Sequence, residues 1–335
     1  MKKVKVAQFG LGPIGLESLR LAAAQPWMEI VGAADNDPAK AGRPLAEMTG
    51  LGSLDGLSVA PSLEEIFRDT QPDVILHTAT SRARATLEQM RPALEVGVSV
   101  ATTCEELVFP RLRVPDLFEE YHALCRHTGA RLVATGVNPG FVMDLLPIGL
   151  TGVCRAVDHI RVERVVNATT RRRPLQAKIG SGQEAAAFRA KLQSGAAGHA
   201  GLRESLALVA HAMAWTLDEI REQSEPVVAD RKLATEFFTV AAGQVCGVHQ
   251  RVVGSVGPVE KISLELRMYL EALAPHDTIV ISGRPGLHVT IAGGVAGDDA
   301  TVASLINVVP RLLAAAPGLR LLTELAVPSF VGPAA

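Results

Sequence analysis

Short apolar runs alternate with amphipathic segments over the first 135 residues of the chain. The runs that predict buried strands cover residues 4–9, 29–34, 73–78, 98–102 and 131–135. Apolar residues at helical spacing lie between them, in a helix that ends near residue 25 and in helices over 84–95 and 115–127. Short strands separated by helices of about ten residues or more are typical of a parallel, doubly wound sheet with right-handed crossovers. The sequence therefore predicts an α/β domain of the Rossmann type.

The pattern changes near residue 150, where longer β-like stretches follow one another. They cover residues 158–168, 260–270, 277–283 and 287–291, and helices are predicted over 182–193 and 202–221. Because little helix separates the later stretches, they predict a mixed or antiparallel sheet in an α+β domain. A last helix, predicted over 298–316, is expected to return to the first domain. We thus expect a Rossmann domain formed by residues 1–141 and 298–335, with an α+β domain over 142–297 inserted into it.

The first predicted strand runs directly into the glycine-rich segment Gly10-Leu11-Gly12-Pro13-Ile14-Gly15. A helix follows it, and the second strand ends at Asp35, twenty residues after Gly15. Strand, glycine turn, helix, strand and acid in this order form the dinucleotide-binding fingerprint. The helix amino terminus presents free N–H groups and a positive dipole end to a pyrophosphate. We therefore predict a dinucleotide site at Gly10, Gly12, Pro13, Ile14 and Gly15; the alternative is a glycine turn without a ligand.

Asp35 also bears on which dinucleotide binds. An acid at this position accepts hydrogen bonds from the ribose hydroxyls of NAD and repels the 2′-phosphate of NADP. Asn36, Lys40 and Arg43 follow closely, and Arg43 could swing to accommodate that phosphate. The alternative role of Asp35 is the N-cap of a helix that begins at Pro38. The sequence favours NAD with NADP tolerated, and assigns Asp35, Asn36 and Arg43 to the cofactor.

Composition excludes several classes of protein. Hydrophobic residues make up 48% of the chain and the net charge is −2, which excludes a disordered chain. Aromatic residues reach only 4%, so we expect no binding to nucleic acid, which needs basic surface and rings for stacking. Four cysteines without a Cys-x-x-Cys pair predict reduced thiols, with neither disulfides nor a metal site.

Two further observations concern membranes and secretion. The longest uncharged stretch, 237–250, is shorter than the roughly 18 to 20 residues of a membrane helix. The amino terminus imitates a signal peptide, but Lys5 and Gln8 interrupt its apolar run. We therefore expect a soluble, cytoplasmic protein that does not bind membranes.

Polar residues follow three of the predicted strands, where ligands of such sheets bind. Thr78, Ala79 and Thr80 are expected to pass the cofactor's ribose and nicotinamide, or else to satisfy local backbone groups. Glu105 and Glu106 follow the strand predicted over 98–102. Asn138 begins an Asn-Pro-Gly sequence, and its amide could orient the nicotinamide carboxamide or a substrate; the alternative is an ordinary turn.

These segments carry a resemblance to a known group. The chain resembles the 2,4-diaminopentanoate dehydrogenases and native amine dehydrogenases, which share the two-domain architecture of dihydrodipicolinate reductase. The resemblance runs through five motifs between residues 4 and 328, at 103–107, 135–141, 178–182, 198–202 and 293–301. It implies NAD(P)-dependent oxidation of a primary amine, such as one similar to 2,4-diaminopentanoate, to a ketone or aldehyde plus ammonia, and the reverse reductive amination. It also implies a homodimer, and a substrate-binding and dimerisation role for the domain over 142–297.

The resemblance places the catalytic acid–base residue at Glu105. Reductive amination needs a group that deprotonates ammonium and then assists the loss of water, and a carboxylate facing an apolar cleft can do both. Adjacent residues cannot both point into one cleft, so Glu106 is expected to be structural. The alternative is that both glutamates are first-turn residues that interact with a helix dipole.

Substrate-binding residues are expected around the cleft. Asn138 and Phe141 precede the inserted domain. Arg164 and Asn167 lie three apart on its first predicted strand, so they face opposite sides and are not expected to share one role. The resemblance implies that polar groups on this strand recognise a second amine or a carboxylate of the substrate. His199 lies in a glycine-rich turn and either reaches the cleft or is an ordinary loop residue. The chain has no His-His pair, which argues against the dihydrodipicolinate reductase reaction itself. Reduction of another cyclic imine, or binding of NAD(P) without chemistry, are the alternatives.

Overall fold

The computed structural model describes residues 3–332 of the 335-residue chain, which divide into two compact units. Unit 1 contains the residues up to Phe141 and those from Ala296 onward, and unit 2 contains Val142–Val295. Unit 2 is therefore an insertion in unit 1. The chain returns to unit 1 two residues before the predicted boundary between residues 297 and 298.

Strands and helices alternate through the first part of unit 1. The elements are β1 (Val4–Phe9), α1 (Pro13–Ala23), β2 (Met28–Ala34), α2 (Leu45–Thr49), β3 (Val59–Ala60), α3 (Leu63–Asp69), β4 (Val74–His77), α4 (Ala83–Glu95), β5 (Ser99–Thr102), α5 (Pro115–Thr128) and β6 (Arg131–Ala134). Unit 2 follows with α6 (Leu145–Thr151), β7 (Ala156–Asn167), α7 (Arg173–Lys178), α8 (Ala185–Gln193), α9 (Leu202–Ala212), β8 (Glu219–Val228), β9 (Leu233–Ala234), β10 (Thr239–Val240), β11 (Val245–Val256), β12 (Val259–Tyr269), β13 (His276–Arg284) and β14 (Leu287–Ala292). The chain then completes unit 1 with α10 (Gly297–Asn307), α11 (Val309–Ala314) and β15 (Gly318–Arg320).

The sheet of unit 1 is parallel throughout. In the described residues it has the strand order β15-β6-β5-β4-β1-β2-β3, and each neighbouring pair runs parallel. The strands β4 and β5 are buried along their whole length, as expected of a sheet covered by helices on both faces. The direction of the strand order reverses between β1 and β4, and ligands bind at such a switch point. The predicted doubly wound Rossmann sheet is confirmed.

One helix of unit 1 differs from its prediction. The segment 298–316 was expected to be continuous, but it forms α10 and α11 with a break at Val308. Pro310 lies in the first turn of α11 and has no N–H to continue the hydrogen-bond ladder of α10. The break therefore follows from one residue.

Unit 2 contains a mixed sheet, which confirms the predicted α+β class. Its strand order is β14-β13-β7-β12-β11-β8. Only β7 and β12 pair in parallel, and the other neighbours are antiparallel. The strands β9 and β10 form a separate antiparallel pair.

The predicted helix over 202–221 is too long. The helix α9 ends at Ala212, and Ala214 has a φ of +53°, which a right-handed helix cannot contain. Residues 219–228 form the edge strand β8, which pairs only with β11. Charged residues and Pro226 obscure the strand pattern of β8, but edge strands tolerate both.

Sequence reasoning also missed β11, the strand that lies between β12 and the edge strand β8. This strand is buried at nearly every position, so it lacks the alternation of apolar and polar residues that marks a strand with one exposed face. Its burial follows only from the sheet neighbours on both sides and the helix α9 that packs on it.

Candidate active site

The glycine turn after β1 is built by two close approaches of the backbone. Gly10 has a φ of +91°, and a Cβ there would lie 2.9 Å from the Cα of Ala79. A Cβ on Gly15 would overlap the carbonyl oxygen of Gly10. Both positions therefore require glycine.

Thr78 and Gln8 hold this turn from the adjacent strands. The Thr78 hydroxyl donates to the carbonyl oxygen of Gly10 over 2.9 Å and accepts from Gln8 Nε2 over 2.9 Å. Gln8 Nε2 also donates to the Gly10 carbonyl oxygen over 3.1 Å. Thr78, predicted from the sequence as a cofactor ligand, thus supports the turn itself. Gln8 was missed, although a polar residue within an apolar strand is a signal that could have found it.

Thr80 and Ala79 complete the loop after β4. The hydroxyl oxygen of Thr80 accepts from the backbone N–H of Arg82 over 3.2 Å, at the start of α4. Ala79 is exposed and packs against Gly10. Whether these residues also contact a cofactor stays a prediction.

The helix α1 offers an open amino terminus next to the turn. Gly12 is its N-cap, Pro13 and Ile14 open its first turn, and no side chain caps it. A Cβ on Gly12 would meet no atom within 4 Å, so this side of the turn has room for a ligand. Unpaired N–H groups at the start of a helix bind phosphate. These residues fit the pyrophosphate of a dinucleotide.

Asp35 lies at the end of β2 and is almost fully buried. Its Oδ2 accepts from the backbone N–H of Leu11 over 2.6 Å and from Lys40 Nζ over 2.8 Å. Its Oδ1 accepts from the backbone N–H of Asp37 over 2.8 Å. Burial raises the pKa of the Asp35 carboxyl, but Lys40 and the two N–H groups outweigh it and hold the pKa below its ordinary value. Asp35 is therefore a carboxylate at neutral pH.

The alternative role of Asp35 is contradicted. No helix begins at Pro38 in the part of the chain that the structure describes, since α2 begins only at Leu45. Asn36 is exposed, and Arg43 Nη2 donates to Glu47 Oε1 over 3.0 Å. The basic group that meets Asp35 is Lys40, not Arg43.

Glu106 is fixed at the start of α4. Its Oε1 accepts from Arg82 Nη1 over 2.8 Å, and its Oε2 accepts from the backbone N–H of Ala83 over 2.8 Å. Glu105 is half-buried, and within residues 3–332 its carboxylate makes no hydrogen bond or ion pair. The neighbouring Cys104 is buried, which raises the pKa of its thiol to about 12. Among the described residues, Glu105 is thus the carboxylate of this turn that no basic group or backbone N–H holds in place, in contrast to Glu106.

A buried histidine orders the backbone that leads to Glu105. His77 is fully buried at the end of β4, with Nε2 2.9 Å from Gln89 Oε1 and Nδ1 2.8 Å from Thr102 Oγ1. A carbonyl oxygen only accepts, so His77 Nε2 carries the proton and Nδ1 accepts from the hydroxyl of Thr102. The Thr102 oxygen in turn accepts from the N–H of Cys104 over 3.0 Å. Burial lowers the pKa of His77 to about 4.

Two predicted substrate residues lie at the end of unit 1. Asn138 follows β6, is nearly buried, and precedes Pro139 through a cis peptide bond. Phe141 is partly exposed and is the last residue before unit 2. Their contact with a substrate stays a prediction.

Arg164 has a structural contact inside unit 2. Its Nη1 donates to both carboxylate oxygens of Asp277, at 3.0 and 2.9 Å, and its Nη2 donates to the carbonyl oxygen of Val295 over 2.6 Å. Asp277 also accepts from the N–H of Val295 over 2.7 Å. Both charged side chains are almost completely buried. This pair holds Val295, the last residue of unit 2; a substrate contact of Arg164 stays a prediction.

Asn167 and His199 lie in different parts of unit 2. The Asn167 side chain accepts from the N–H of Thr169 over 3.0 Å and donates to the Ala272 carbonyl oxygen over 3.4 Å. The backbone N–H of His199 donates to Gln250 Oε1 over 2.6 Å. These contacts lie within unit 2 and do not test binding of a substrate, so the substrate roles of both residues stay predictions.

Residues 3–332 contain neither a cluster of metal-ligating side chains nor a membrane-spanning helix. No three His, Cys, Asp or Glu side chains gather so that they could hold a metal ion. None of the helices in this part of the chain is both long and apolar enough to cross a membrane.

Known proteins resemble this chain along its whole length. A family model of the 2,4-diaminopentanoate dehydrogenase C-terminal domain matches residues 141–333. The 2,4-diaminopentanoate dehydrogenase of Acetoanaerobium sticklandii is 29% identical to the chain, over 99% of this chain and 96% of that protein. An amine dehydrogenase of Streptomyces virginiae is 24% identical, over 94% of each. The structure of an amine dehydrogenase from Mycobacterium smegmatis superposes with a TM-score of 0.87 at 23% identity, over 98% and 97% of the two chains.

Proposed function

Because the chain belongs to the 2,4-diaminopentanoate dehydrogenase family, we propose that it is a nicotinamide-dependent amine dehydrogenase. The match confirms the resemblance that five motifs carried in the sequence. The proposed reaction converts a primary amine to a ketone or aldehyde plus ammonia, and runs in reverse as reductive amination. A 2,4-diaminopentanoate-like amine is one candidate substrate.

The observation that supports this reaction best is that two features lie on the same edge of the unit 1 sheet. The strands β1, β4 and β5 are adjacent and parallel, so their carboxyl ends lie along one edge of the sheet. That edge carries the glycine turn after β1 and the carboxylate of Glu105 after β5. A dinucleotide turn and an uncommitted carboxylate on one edge are what hydride transfer with proton exchange requires.

In the reductive direction, Glu105 takes a proton from ammonium, and the resulting ammonia adds to the carbonyl carbon. Glu105 then gives the proton to the hydroxyl of the carbinolamine, which leaves as water and produces the iminium. The bound nicotinamide supplies the hydride that reduces this carbon. Glu106 holds the start of α4, and the network of His77 and Thr102 fixes the turn that carries Glu105.

We also propose that the cofactor is NAD and that two copies of the chain form a homodimer. Asp35 supports NAD over NADP, because its carboxylate attracts ribose hydroxyls and repels a 2′-phosphate.

Homodimerisation is supported by charges of both signs on one face of the unit 2 sheet, where Glu265 pairs with Arg267 over 2.6 Å and with His249 over 2.8 Å. A face with both signs can be complementary to itself across a two-fold axis. Four free cysteines suit the reducing cytoplasm.

Ammonia dependence tests the reaction. Purified protein should oxidise NADH or NADPH only when a carbonyl compound and ammonium are both present. Glu105→Gln should lower kcat at least about a hundredfold, since general acid–base catalysis contributes roughly 10²–10⁴. Titration with the dinucleotide should give the same affinity as for the parent, and Glu88→Gln, an exposed glutamate on α4, should leave kcat unchanged.

Four outcomes would each contradict a part of the proposal. Equal carbonyl reduction without ammonium excludes the amine reaction, and reduction of a preformed cyclic imine alone identifies an imine reductase. Full activity of Glu105→Gln removes its catalytic role. A single-chain mass in light scattering excludes the homodimer.

A further inference from the structure

The carboxylate of Asp35, which we propose binds the ribose of the cofactor, already accepts three hydrogen bonds. A carboxylate offers about four acceptor positions. Asp35 uses both positions of Oδ2, for the N–H of Leu11 and the ammonium of Lys40, and one position of Oδ1, for the N–H of Asp37. One position remains. A ribose that offers two hydroxyls can therefore engage Asp35 fully only if Lys40 gives up its place.

Among the described residues, the cation that contacts Asp35 is the ammonium of Lys40. Its Nζ is 2.8 Å from Asp35 and 3.9 Å from Asp37, and three quarters of its side chain is buried. The other candidate, Arg43, is half-exposed and paired with Glu47 at 3.0 Å. The charge that a phosphate beside Asp35 would meet first is the ammonium of Lys40.

We propose that Lys40 is the residue that sets the choice between NADP(H) and NAD(H), by forming a subsite for the 2′-phosphate. This inference rests on the proposed function, since it assumes that a nicotinamide dinucleotide binds at the glycine turn. The ammonium has three donors. It can keep one on Asp35 Oδ2 and direct another to a phosphate oxygen, which neutralises the repulsion between two anions.

The same contact acts in the opposite sense on NAD(H). A ribose hydroxyl can donate to the remaining position of Asp35 Oδ1, but the second hydroxyl competes with Lys40 for Oδ2. Removal of the ammonium frees this oxygen and leaves Asp35 with its full negative charge. Lys40 therefore weakens the preference for NAD(H) that the Asp35 carboxylate alone would create, and it supports binding of NADP(H).

The test compares Lys40→Met with Lys40→Arg and Arg43→Met by calorimetric titration of the full-length protein. NADPH and NADH are the probes, and 2′,5′-ADP and 5′-AMP report on the adenosine end alone. Lys40→Met should weaken NADPH and 2′,5′-ADP about tenfold to a hundredfold, the usual range for a charged hydrogen bond, and leave NADH and 5′-AMP unchanged or tighter. Lys40→Arg should retain most of the NADPH affinity, and Arg43→Met should alter the ratio of the two affinities less than threefold.

Salt provides a second measurement. The NADPH affinity of the parent should fall more steeply with ionic strength than that of Lys40→Met, because the variant lacks the ion pair between Lys40 and the 2′-phosphate. An unchanged ratio in Lys40→Met, an equal loss for both cofactors, or a ratio shift that appears in Arg43→Met would each overturn the role of Lys40. Failure of the parent to bind either dinucleotide would refute the proposed function itself.

Discussion

Replacement of His77 by glutamine should remove much of the acid sensitivity of unit 1. The imidazole is fully buried, and burial lowers its pKa to about 4 despite the hydrogen bond to Gln89. In the unfolded chain its pKa is the ordinary 6.5. Glutamine keeps an acceptor and a donor on the side chain but has no group that titrates in this range.

The sign follows from which state binds the proton. Between pH 6.5 and about 4 the unfolded chain protonates His77 and the folded chain does not, so the free energy of unfolding decreases as the pH falls. The contribution of the neutral imidazole to the free energy of unfolding is complete above pH 6.5 and is lost by about pH 4. The difference between these pKa values corresponds to about 3 kcal/mol, since one pKa unit is about 1.4 kcal/mol. The lowered pKa of Asp35 adds acid sensitivity only below its ordinary value of 3.8.

The two tryptophans make the measurement specific to one unit. Trp27 lies in unit 1 and Trp215 in unit 2, so Trp215→Phe leaves a fluorophore that reports on unit 1 alone. Urea unfolding would be followed through Trp27 at several pH values between 7 and 4. From pH 7 to pH 4 the parent should lose about 3 kcal/mol more stability than His77→Gln.

An exposed histidine of the same unit provides the control. His127 lies on α5, and His127→Gln should keep the pH dependence of the parent. Parallel loss of stability in the parent and in His77→Gln would refute the reasoning, because it would show that His77 is not held neutral. The absolute stability of His77→Gln does not enter this comparison.

Two further changes test other parts of the structure. Arg164→Met leaves the buried carboxylate of Asp277 without its partner and should cost about 3–5 kcal/mol, measured through Trp215 in a Trp27→Phe background; adding Asp277→Leu should restore most of it, and a loss below 1 kcal/mol in the single variant would contradict a buried ion pair. Gly15→Ala forces the backbone of the glycine turn apart and should weaken dinucleotide binding about tenfold or more in titration; unchanged affinity would show that the turn adapts.

Local sequence was sufficient where each residue's role depends on its own segment. The glycine turn is an example, because the conformation of Gly10 and the approach of Gly15 are decided within one strand–turn–helix unit. The parallel sheet could be predicted for the same reason: strands buried on both faces are apolar along their length, and the helices between them fix the crossovers. The family resemblance likewise rested on motifs that are contiguous in the chain.

Tertiary structure decided every role that depends on which side chains or strands meet in the fold. Arg164 meets Asp277 across 113 residues of sequence, so no local pattern could show that this arginine is paired. The strand β8 carries charges at helix-like intervals, and only its pairing with β11 makes it a strand. Lys40 follows Asp35 closely in sequence, but only the fold turns its ammonium back onto that carboxylate while Glu47 holds Arg43 away. The physical reason is common to all three: spacing along the chain determines which way a segment folds, whereas charge pairing and burial depend on what the rest of the chain brings beside it.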